Sequence, residues 1–134
     1  MDHAATTPVD EEVLKAMQEF FSKKFGNASS LHSWGREARE ALEESREKVA
    51  KLINADANEI VFTGSGTESD NLAIKGIAYK HRKGHVITSK IEHPAVLETC
   101  KYLEKKGFDV TYLPVDKYGL VDPKQVEEAI SCLL

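Results

Sequence analysis

Residues 62–71 read FTGSGTESDN, a short apolar run that passes through two glycines into a segment of helical character. The run begins two residues earlier, and Ile60-Val61-Phe62-Thr63 is β-branched or aromatic throughout, which is typical of a strand. Leu72, Ile74 and Ile77 follow the turn and favour a helix. A strand, a glycine-containing turn and a helix in this order begin a βαβ unit.

The same pattern recurs twice further along the chain. Val86-Ile87-Thr88 and Val110-Thr111-Tyr112-Leu113 are short strand-like runs, spaced about 25 residues apart as in βαβ units. Arg82-Lys83-Gly84 and Lys105-Lys106-Gly107 indicate helix ends, because cations oppose the helix dipole and glycine accepts the left-handed C′ conformation. We predict an α/β fold with three parallel strands, right-handed crossovers and helices on both faces of the sheet.

Helices are predicted on both sides of these units. An apolar stripe follows the acidic turn Asp10-Glu11-Glu12, and a second stripe begins at about Arg36. The last helix opens at Asp122-Pro123-Lys124-Gln125, which combines an N-cap, proline at the first helical position and a capping-box glutamine.

No repeat, low-complexity tract or linker divides the chain, so we expect a single domain over residues 1–134. Residues 1–58 would form an N-terminal loop and helices, and residues 59–134 the start of the large α/β part. Three strands leave sheet edges open, and the final apolar residues Ile130, Leu133 and Leu134 suggest an interrupted element. We therefore expect an incomplete domain.

Composition excludes several classes of protein. The chain has 18 Lys plus Arg against 22 Asp plus Glu, a net charge of −4, with 41% hydrophobic residues. This mild acidity argues against a nucleic-acid surface, and no apolar stretch is long enough for a membrane span. We expect a cytoplasmic protein. Cys100 and Cys132 have neither CxxC spacing nor nearby histidines, so neither a disulfide scaffold nor a metal site is predicted.

The first turn that could carry chemistry is the glycine-containing segment 63–71. Unpaired amides at the start of the following helix would suit a phosphate. The segment lacks the lysine of a P-loop and the third glycine of a dinucleotide fingerprint, so a nucleotide is a weak candidate. The competing interpretation, about equally favoured on local sequence, is that Ser65 and Glu68 form a capping box around a simple turn.

The second turn is Ser89-Lys90-Ile91-Glu92-His93-Pro94. Because proline forces the preceding residue into an extended conformation, His93 should stand at the lip of the sheet, on the same edge as the Gly66-Thr67 turn. There an imidazole could stack on a ring, exchange a proton or bind a metal. The simpler alternative is a surface histidine acting as an N-cap. The other histidines are predicted to be surface or loop residues: His3, His32, His81 and His85.

Four ordered motifs resemble the cysteine desulfurases of the NifS and IscS kind: DHAATTP at 2–8, FGNASS at 25–30, FTGSGTESDN at 62–71 and EHPAV at 92–96. These are pyridoxal-phosphate enzymes of the class V aminotransferase group. The resemblance spans nearly the whole chain and about the amino-terminal third of such an enzyme. It implies that the α/β part is the beginning of the large domain of a fold-type I pyridoxal-phosphate-dependent transferase.

The resemblance also implies roles for three residues. Gly66 and Thr67 match the turn that holds the cofactor phosphate, and His93 matches the catalytic histidine that stacks on the pyridine ring and helps to move protons. The family's Schiff-base lysine, pyridine-pairing aspartate and persulfide-forming cysteine match nothing in this sequence, and Cys100 and Cys132 do not belong to the mobile cysteine loop. Alone, the chain should not turn over cysteine.

The implied activity of the parent enzyme converts L-cysteine to L-alanine and passes the sulfur on as an enzyme persulfide. Implied partners are sulfur acceptors such as an iron–sulfur scaffold or thiolation proteins, and a second copy in a homodimer. Two alternatives stay open: a non-catalytic dimerisation or regulatory module, and a related class V enzyme such as a selenocysteine lyase or cysteine-sulfinate desulfinase.

Overall fold

The structure, a computed structural model, describes His3 and residues 5–131. Its elements in chain order are α1 (Glu11–Ser22), α2 (Ser33–Leu52), a 3-10 turn (Ala57–Glu59), α3 (Gly66–His81), β1 (His85–Ser89), α4 (Pro94–Lys105), β2 (Asp109–Leu113) and α5 (Pro123–Ser131). None of the described helices has the length and apolar character needed to cross a bilayer. The chain separates into two compact units, Met1–Val61 and Phe62–Leu134. The expectation of a single incomplete domain stays a prediction.

The first unit contains α1, α2, the loop that joins them and the 3-10 turn after α2. Asp10 caps α1 by accepting the N–H of Glu12 at 2.8 Å, as its acidic first turn suggests. In the loop, a Cβ on Gly26 would overlap the carbonyl group of Trp34, so the backbone at this position can approach α2 only as glycine. The rings of Phe25 and Trp34 meet edge to face at 5.3 Å between centroids.

The predicted first strand is wrong. Residues 60–63 lie outside any strand, and the sheet of the described chain consists of β1 and β2. Ile60 has an extended backbone (φ −93°, ψ 125°), and its carbonyl accepts a hydrogen bond from the Arg46 guanidinium. The preference of this segment for an extended backbone is therefore present. A strand, however, also needs a neighbouring strand to pair with, and the local sequence does not determine whether one is there. Val61 and Phe62 remain 64% and 45% exposed.

The second unit contains the predicted parallel pairing. β1 and β2 align in register, with Val86 opposite Val110 and Thr88 opposite Tyr112, and α4 provides the crossover between them. The core behind this βαβ unit consists of Ala78, Leu103 and Phe108, with Ile74 and Val86 packed against it. The α/β fold with a parallel sheet is thus confirmed.

The opposite face of the sheet is covered by α5. His85 and Thr111 lie on the face opposite Val86, since side chains alternate along a strand. They line a recess together with Gln125 and Ala129 of α5. Helices therefore flank both faces, as the parallel pattern predicts.

The predicted helix ends are confirmed in part. Gly107 has φ +88° after α4, as expected of a C′ glycine. The expectation for Gly84 is wrong: α3 ends at His81, so the left-handed residue falls on Arg82, with φ +59°. At the start of α5, Asp122 Oδ1 accepts the N–H of Lys124 at 2.9 Å.

The capping box predicted at the start of α5 lacks its second hydrogen bond, the one to the Gln125 side chain. Gln125 Oε1 is buried and has no hydrogen-bond partner in the described part of the chain, because the side chain lies in the recess beside β2 and not at the helix start. The cap of α5 therefore depends on Asp122 and on Pro123 at the first helical position.

The two units leave much apolar surface uncovered. No residue of α1 is buried, and its apolar stripe is exposed by between 41% and 73% at Val13, Leu14, Met17, Phe20 and Phe21. Contiguous apolar surface of this kind marks a contact region or an aggregation hazard. Ile130 is also exposed, whereas Leu133 and Leu134 lie outside the described residues.

We therefore predict that the chain associates in solution when no partner covers these faces. Sedimentation velocity should show oligomers that grow with protein concentration, and a dye that fluoresces on apolar surfaces should bind. A clean monomer that binds no dye would contradict this expectation.

Leu103 is expected to dominate the stability of the second unit, because its side chain is 0% exposed. Leu103→Ala should lower the free energy of unfolding by about 2–5 kcal/mol, as the loss of buried methyl groups leaves a cavity. Urea unfolding followed by circular dichroism measures the change. Leu72→Ala, in the same unit but 51% exposed, is the matched control and should cost far less. Equal losses in both variants would contradict the assigned core.

Candidate functional site

The glycine-containing turn before α3 is closed by Glu68. Ser65 is the extended N-cap of α3, and its Oγ accepts the N–H of Glu68 at 3.2 Å. Glu68 Oε2 in turn accepts the N–H of Gly64 at 2.7 Å. The predicted Ser65–Glu68 capping box is therefore present in a modified form, because the carboxylate bonds to the residue before the N-cap.

Hydroxyl groups fix the same turn from the other side. Thr63 Oγ1 donates to the Ser65 carbonyl at 3.1 Å and lies 2.6 Å from Ser69 Oγ. Ser69 Oγ also donates to the Ser65 carbonyl, at 3.3 Å. These bonds tie the end of the extended segment to the first turn of α3 and give the loop one defined shape.

This arrangement leaves two donors free at the start of α3. The N–H groups of Gly66 and Thr67 have no acceptor within the described part of the chain, as expected of first-turn amides. A Cβ added at Gly66 would meet nothing within 4 Å, so the surface at this residue is open. Two free amides at the positive end of a 16-residue helix suit a phosphate group.

His93 occupies the turn between β1 and α4. It is the N-cap of α4, with an extended backbone (φ −58°, ψ 146°) and Pro94 at the first helical position, as predicted. Its Nδ1 accepts the N–H of Ala95 at 3.1 Å. Because that nitrogen acts as an acceptor, this geometry assigns the ring proton to Nε2, on the other side of the imidazole. The N-cap alternative is thus realised, and it leaves the exposed ring available for contacts.

The two turns open onto one groove between α3 and α4. The groove has a volume of about 400 Å³ and is lined by Thr67 and His93, together with Asn71, Lys75, Pro94, Ala95, Glu98, Thr99 and Tyr102. Gly66 does not line it. The structure therefore brings Thr67 and His93 together on one surface and places Gly66 one residue outside it.

Several groove residues were missed by sequence reasoning, among them Asn71, Lys75 and Tyr102. Asn71 and Lys75 follow Thr67 at intervals of four residues, so helical spacing alone could have placed them on the same face of α3. Asn71 Nδ2 donates to the Thr67 carbonyl at 2.9 Å. Tyr102, on α4, has no comparable sequence signal.

The far end of the groove is electrostatically distinct. Tyr79 donates a hydrogen bond to the Tyr102 hydroxyl at 3.2 Å, and Lys75 Nζ lies 4.7 Å from the centre of the Tyr102 ring. The pKa of Tyr102 is lowered, first by the Tyr79 hydrogen bond and then by Lys106 and Lys75. Cations and phenols thus gather at the end of the groove away from His93.

The remaining nucleophile candidate is not available for chemistry. Cys100 is 0% exposed, as its helical position predicts, and burial raises the pKa of its thiol, with smaller contributions from Glu104 and Glu92. Cys132 lies outside the described residues, as do Asp2 and Ala4 of the first motif. Within the described residues, no group of three or more histidines, cysteines and carboxylates could hold a metal ion.

His85 does not fit its prediction as a surface or loop residue. It is half-buried at the start of β1, and its Nε2 lies 2.7 Å from Thr111 Oγ1 on the neighbouring strand. The cross-strand hydroxyl gives Nε2 a partner, whereas Nδ1 of the same ring is buried without a hydrogen-bond partner among the described residues.

The chain is similar in sequence to proteins named cysteine desulfurase. Cysteine desulfurase IscS of Dictyoglomus turgidum is 58% identical over 132 residues, which cover 97% of this chain and 34% of the relative. The corresponding protein of Methanosarcina thermophila is 54% identical over 97% of this chain and 33% of its own length. The chain therefore spans about a third of the length of the curated relatives that it matches.

Solved structures show the same fold. A NifS-like protein superposes with a TM-score of 0.89 at 47% identity, covering 95% of this chain and 35% of that protein. DndA from Streptomyces lividans superposes with a TM-score of 0.68 at 39% identity, covering 84% and 32%. A family model described as aminotransferase class-V matches residues 1–132. The chain belongs to the class-V aminotransferase family.

Proposed function

We propose that this chain is the cofactor-binding amino-terminal portion of a cysteine desulfurase, and that it binds pyridoxal 5′-phosphate through Gly66, Thr67 and His93. The observation that carries the proposal is the meeting of Thr67 and His93 on one groove, beside two free amides at the start of α3. The identity to proteins named cysteine desulfurase supports the reaction class.

The residues present fit the chemistry of this cofactor. A phosphate dianion needs several donors and a favourable field, and the Gly66 and Thr67 amides supply both at the positive end of α3. Thr67, which lines the groove, also carries a hydroxyl that can donate to a phosphate. The surface at Gly66 is open, since a Cβ there would meet nothing within 4 Å.

His93 is suited to the ring of the cofactor. Its Nδ1 is held by the Ala95 N–H, so the imidazole has a fixed orientation and cannot be protonated on Nδ1 without losing that bond. Nε2 is then the ring nitrogen left for contacts with a ligand. When bound, pyridoxal phosphate supplies an electron sink for bonds at the substrate Cα.

Turnover requires groups that this sequence does not supply. The resemblance assigns covalent attachment to a lysine and persulfide formation to a loop cysteine, and buried Cys100 cannot replace the latter. We propose that the complete enzyme joins this portion to residues that carry those groups. It would convert L-cysteine to L-alanine in the cytoplasm, work as a homodimer and pass sulfur to an iron–sulfur scaffold or a thiolation protein.

The alternative of a non-catalytic association module has its own supporting observation. The apolar stripe of α1 is uncovered, as a surface for a second protein would be. Such a module needs no cofactor, so the binding of a cofactor analogue distinguishes the two functions. A related class V enzyme acting on selenocysteine or a sulfinate would share the cofactor site, and the substrate must be measured on the complete enzyme.

Thr67→Val tests the phosphate contact. Valine keeps the shape of threonine and removes the hydroxyl, so affinity for inorganic phosphate should fall about tenfold, the effect of losing one hydrogen bond to a charged group. Equilibrium dialysis with labelled phosphate measures the change. Thr88→Val, in β1 outside the groove, is the control and should leave affinity unchanged. Unchanged binding by Thr67→Val would remove the hydroxyl from the proposed site.

His93→Asn tests the ring contact separately from the helix cap. Asparagine is a good N-cap, so α4 should keep its stability, but the stacking surface is lost. Affinity for pyridoxine 5′-phosphate, which lacks the reactive aldehyde, should fall about three- to tenfold, the range expected for one aromatic pair.

The controls for this test are chemical and positional. Affinity for inorganic phosphate should not change in His93→Asn, because phosphate makes no ring contact. His81→Ala, on an exposed histidine at the end of α3, should change neither affinity. Equal losses for both ligands in His93→Asn would show that the substitution disturbs the turn and that the ring has no separate role.

A further inference from the structure

We infer that Glu68 is a positioning residue for the proposed cofactor site: it holds the turn in the shape that leaves the Gly66 and Thr67 amides free for a phosphate. The inference rests on the proposed function, because it concerns how the same turn is prepared. Glu68 itself does not line the groove.

Glu68 closes the turn at both of its ends. Its main-chain N–H donates to Ser65 Oγ at 3.2 Å, and its carboxylate accepts the N–H of Gly64 at 2.7 Å. The second bond involves an ionised acceptor, which makes it stronger than a bond between neutral groups. Together they fix the backbone between residues 64 and 68.

This closure decides which amides remain available. The N–H groups of Gly64 and Glu68 are used within the turn, while those of Gly66 and Thr67 have no acceptor in the described part of the chain. An anion that approaches α3 therefore meets two donors on adjacent residues. Without the Glu68 side chain, the Gly64 N–H would lose its acceptor and the turn would no longer be held in this shape, so the Gly66 and Thr67 amides would no longer be fixed for an anion.

Residue 64 lies close to the carboxylate that its N–H binds. Gly64 does not have a positive φ, so backbone strain does not demand glycine there. A Cβ at this position would lie 3.3 Å from Glu68 Oε2, closer than an ordinary contact. The carboxylate can therefore approach the Gly64 N–H because no side chain stands in the way. At Gly66, by contrast, the space is open.

The carboxylate of Glu68 has two opposite effects on phosphate binding. A carboxylate near the helix start repels a phosphate dianion, whereas its oxygen holds the turn that binds the phosphate. Glutamine keeps an oxygen acceptor for the Gly64 N–H and removes the charge. Alanine removes both. The two substitutions therefore separate positioning from electrostatic repulsion.

The chain offers a matched control for this type of bond. Glu59 Oε2 accepts the N–H of Asp56 at 2.8 Å in a capping box of the first unit. Glu59→Ala removes a comparable carboxylate–amide bond without touching the proposed site. This variant therefore shows how the loss of one capping bond affects the fold when the proposed site is intact.

The experiment measures phosphate binding to the full chain by equilibrium dialysis, at equal protein concentration for each variant. Glu68→Ala should weaken binding of inorganic phosphate about tenfold, the effect of one lost charged hydrogen bond. Glu68→Gln should bind as tightly as the original chain or more tightly. Glu59→Ala should bind unchanged. Hydrogen exchange should show faster exchange at Gly64 in Glu68→Ala but not in Glu68→Gln.

Each outcome has a distinct meaning. Unchanged phosphate binding by Glu68→Ala, or a tenfold loss in Glu68→Gln, would overturn the positioning role and leave the proposed function standing. If Glu68→Ala does not fold, the result for Glu68→Gln still decides. If the original chain is folded and binds neither phosphate nor pyridoxine 5′-phosphate, the proposed function fails, and the role of Glu68 fails with it.

Discussion

The packing of Leu103 against Ala78 and Phe108 is the contact on which the second unit depends. It joins α3, α4 and the start of β2 around a side chain with no exposed surface. Since α3 and α4 are fixed side by side, the residues at their N-termini are also brought together. Thr67 and His93 therefore share a groove because of an apolar contact several turns away from either residue. A small core of this kind can position a site only if the turns that carry the site are themselves rigid.

Rigidity of the turns comes from local hydrogen bonds. The turn before α3 is held by Glu68 and by the hydroxyl groups of Thr63 and Ser69, and the turn before α4 by the Nδ1 of His93. These bonds connect residues no more than six positions apart. They can form without the rest of the molecule, and this explains why the sequence alone indicated both turns. Motif, geometry and chemistry agree there because all three are local.

Sequence reasoning failed where structure depends on distant residues. The extended backbone of Ile60 shows that the strand preference of residues 60–63 is real, yet a strand exists only when another strand pairs with it. Gly84 was chosen as the left-handed residue from composition, but the last helical residue, His81, places that conformation on Arg82. Gln125 was assigned to a cap, although its side chain lies in a recess formed with β2. Helical periodicity could have placed Asn71 on the same face of α3 as Thr67. Placing Tyr102 in the groove requires knowledge of how α3 and α4 pack. The sequence pattern indicates an anion-binding turn and a histidine at the same sheet edge, whereas the specific cofactor roles of Gly66, Thr67 and His93 are implied by the family resemblance.

In the proposed function, the groups of this chain serve cofactor binding and not catalysis. Phosphate recognition by first-turn amides depends on a short turn and a helix, and orientation of the imidazole depends on one N-cap bond. Neither requires the covalent lysine or the sulfur-carrying cysteine that the reaction needs. The described chain supplies binding groups on a surface, and its one described cysteine is buried with a raised thiol pKa. An enzyme that places binding in one segment and reactive groups in others must bring them together by packing. The uncovered apolar stripe of α1 provides surface through which such packing can occur. Burial of that stripe would contribute hydrophobic free energy to such packing.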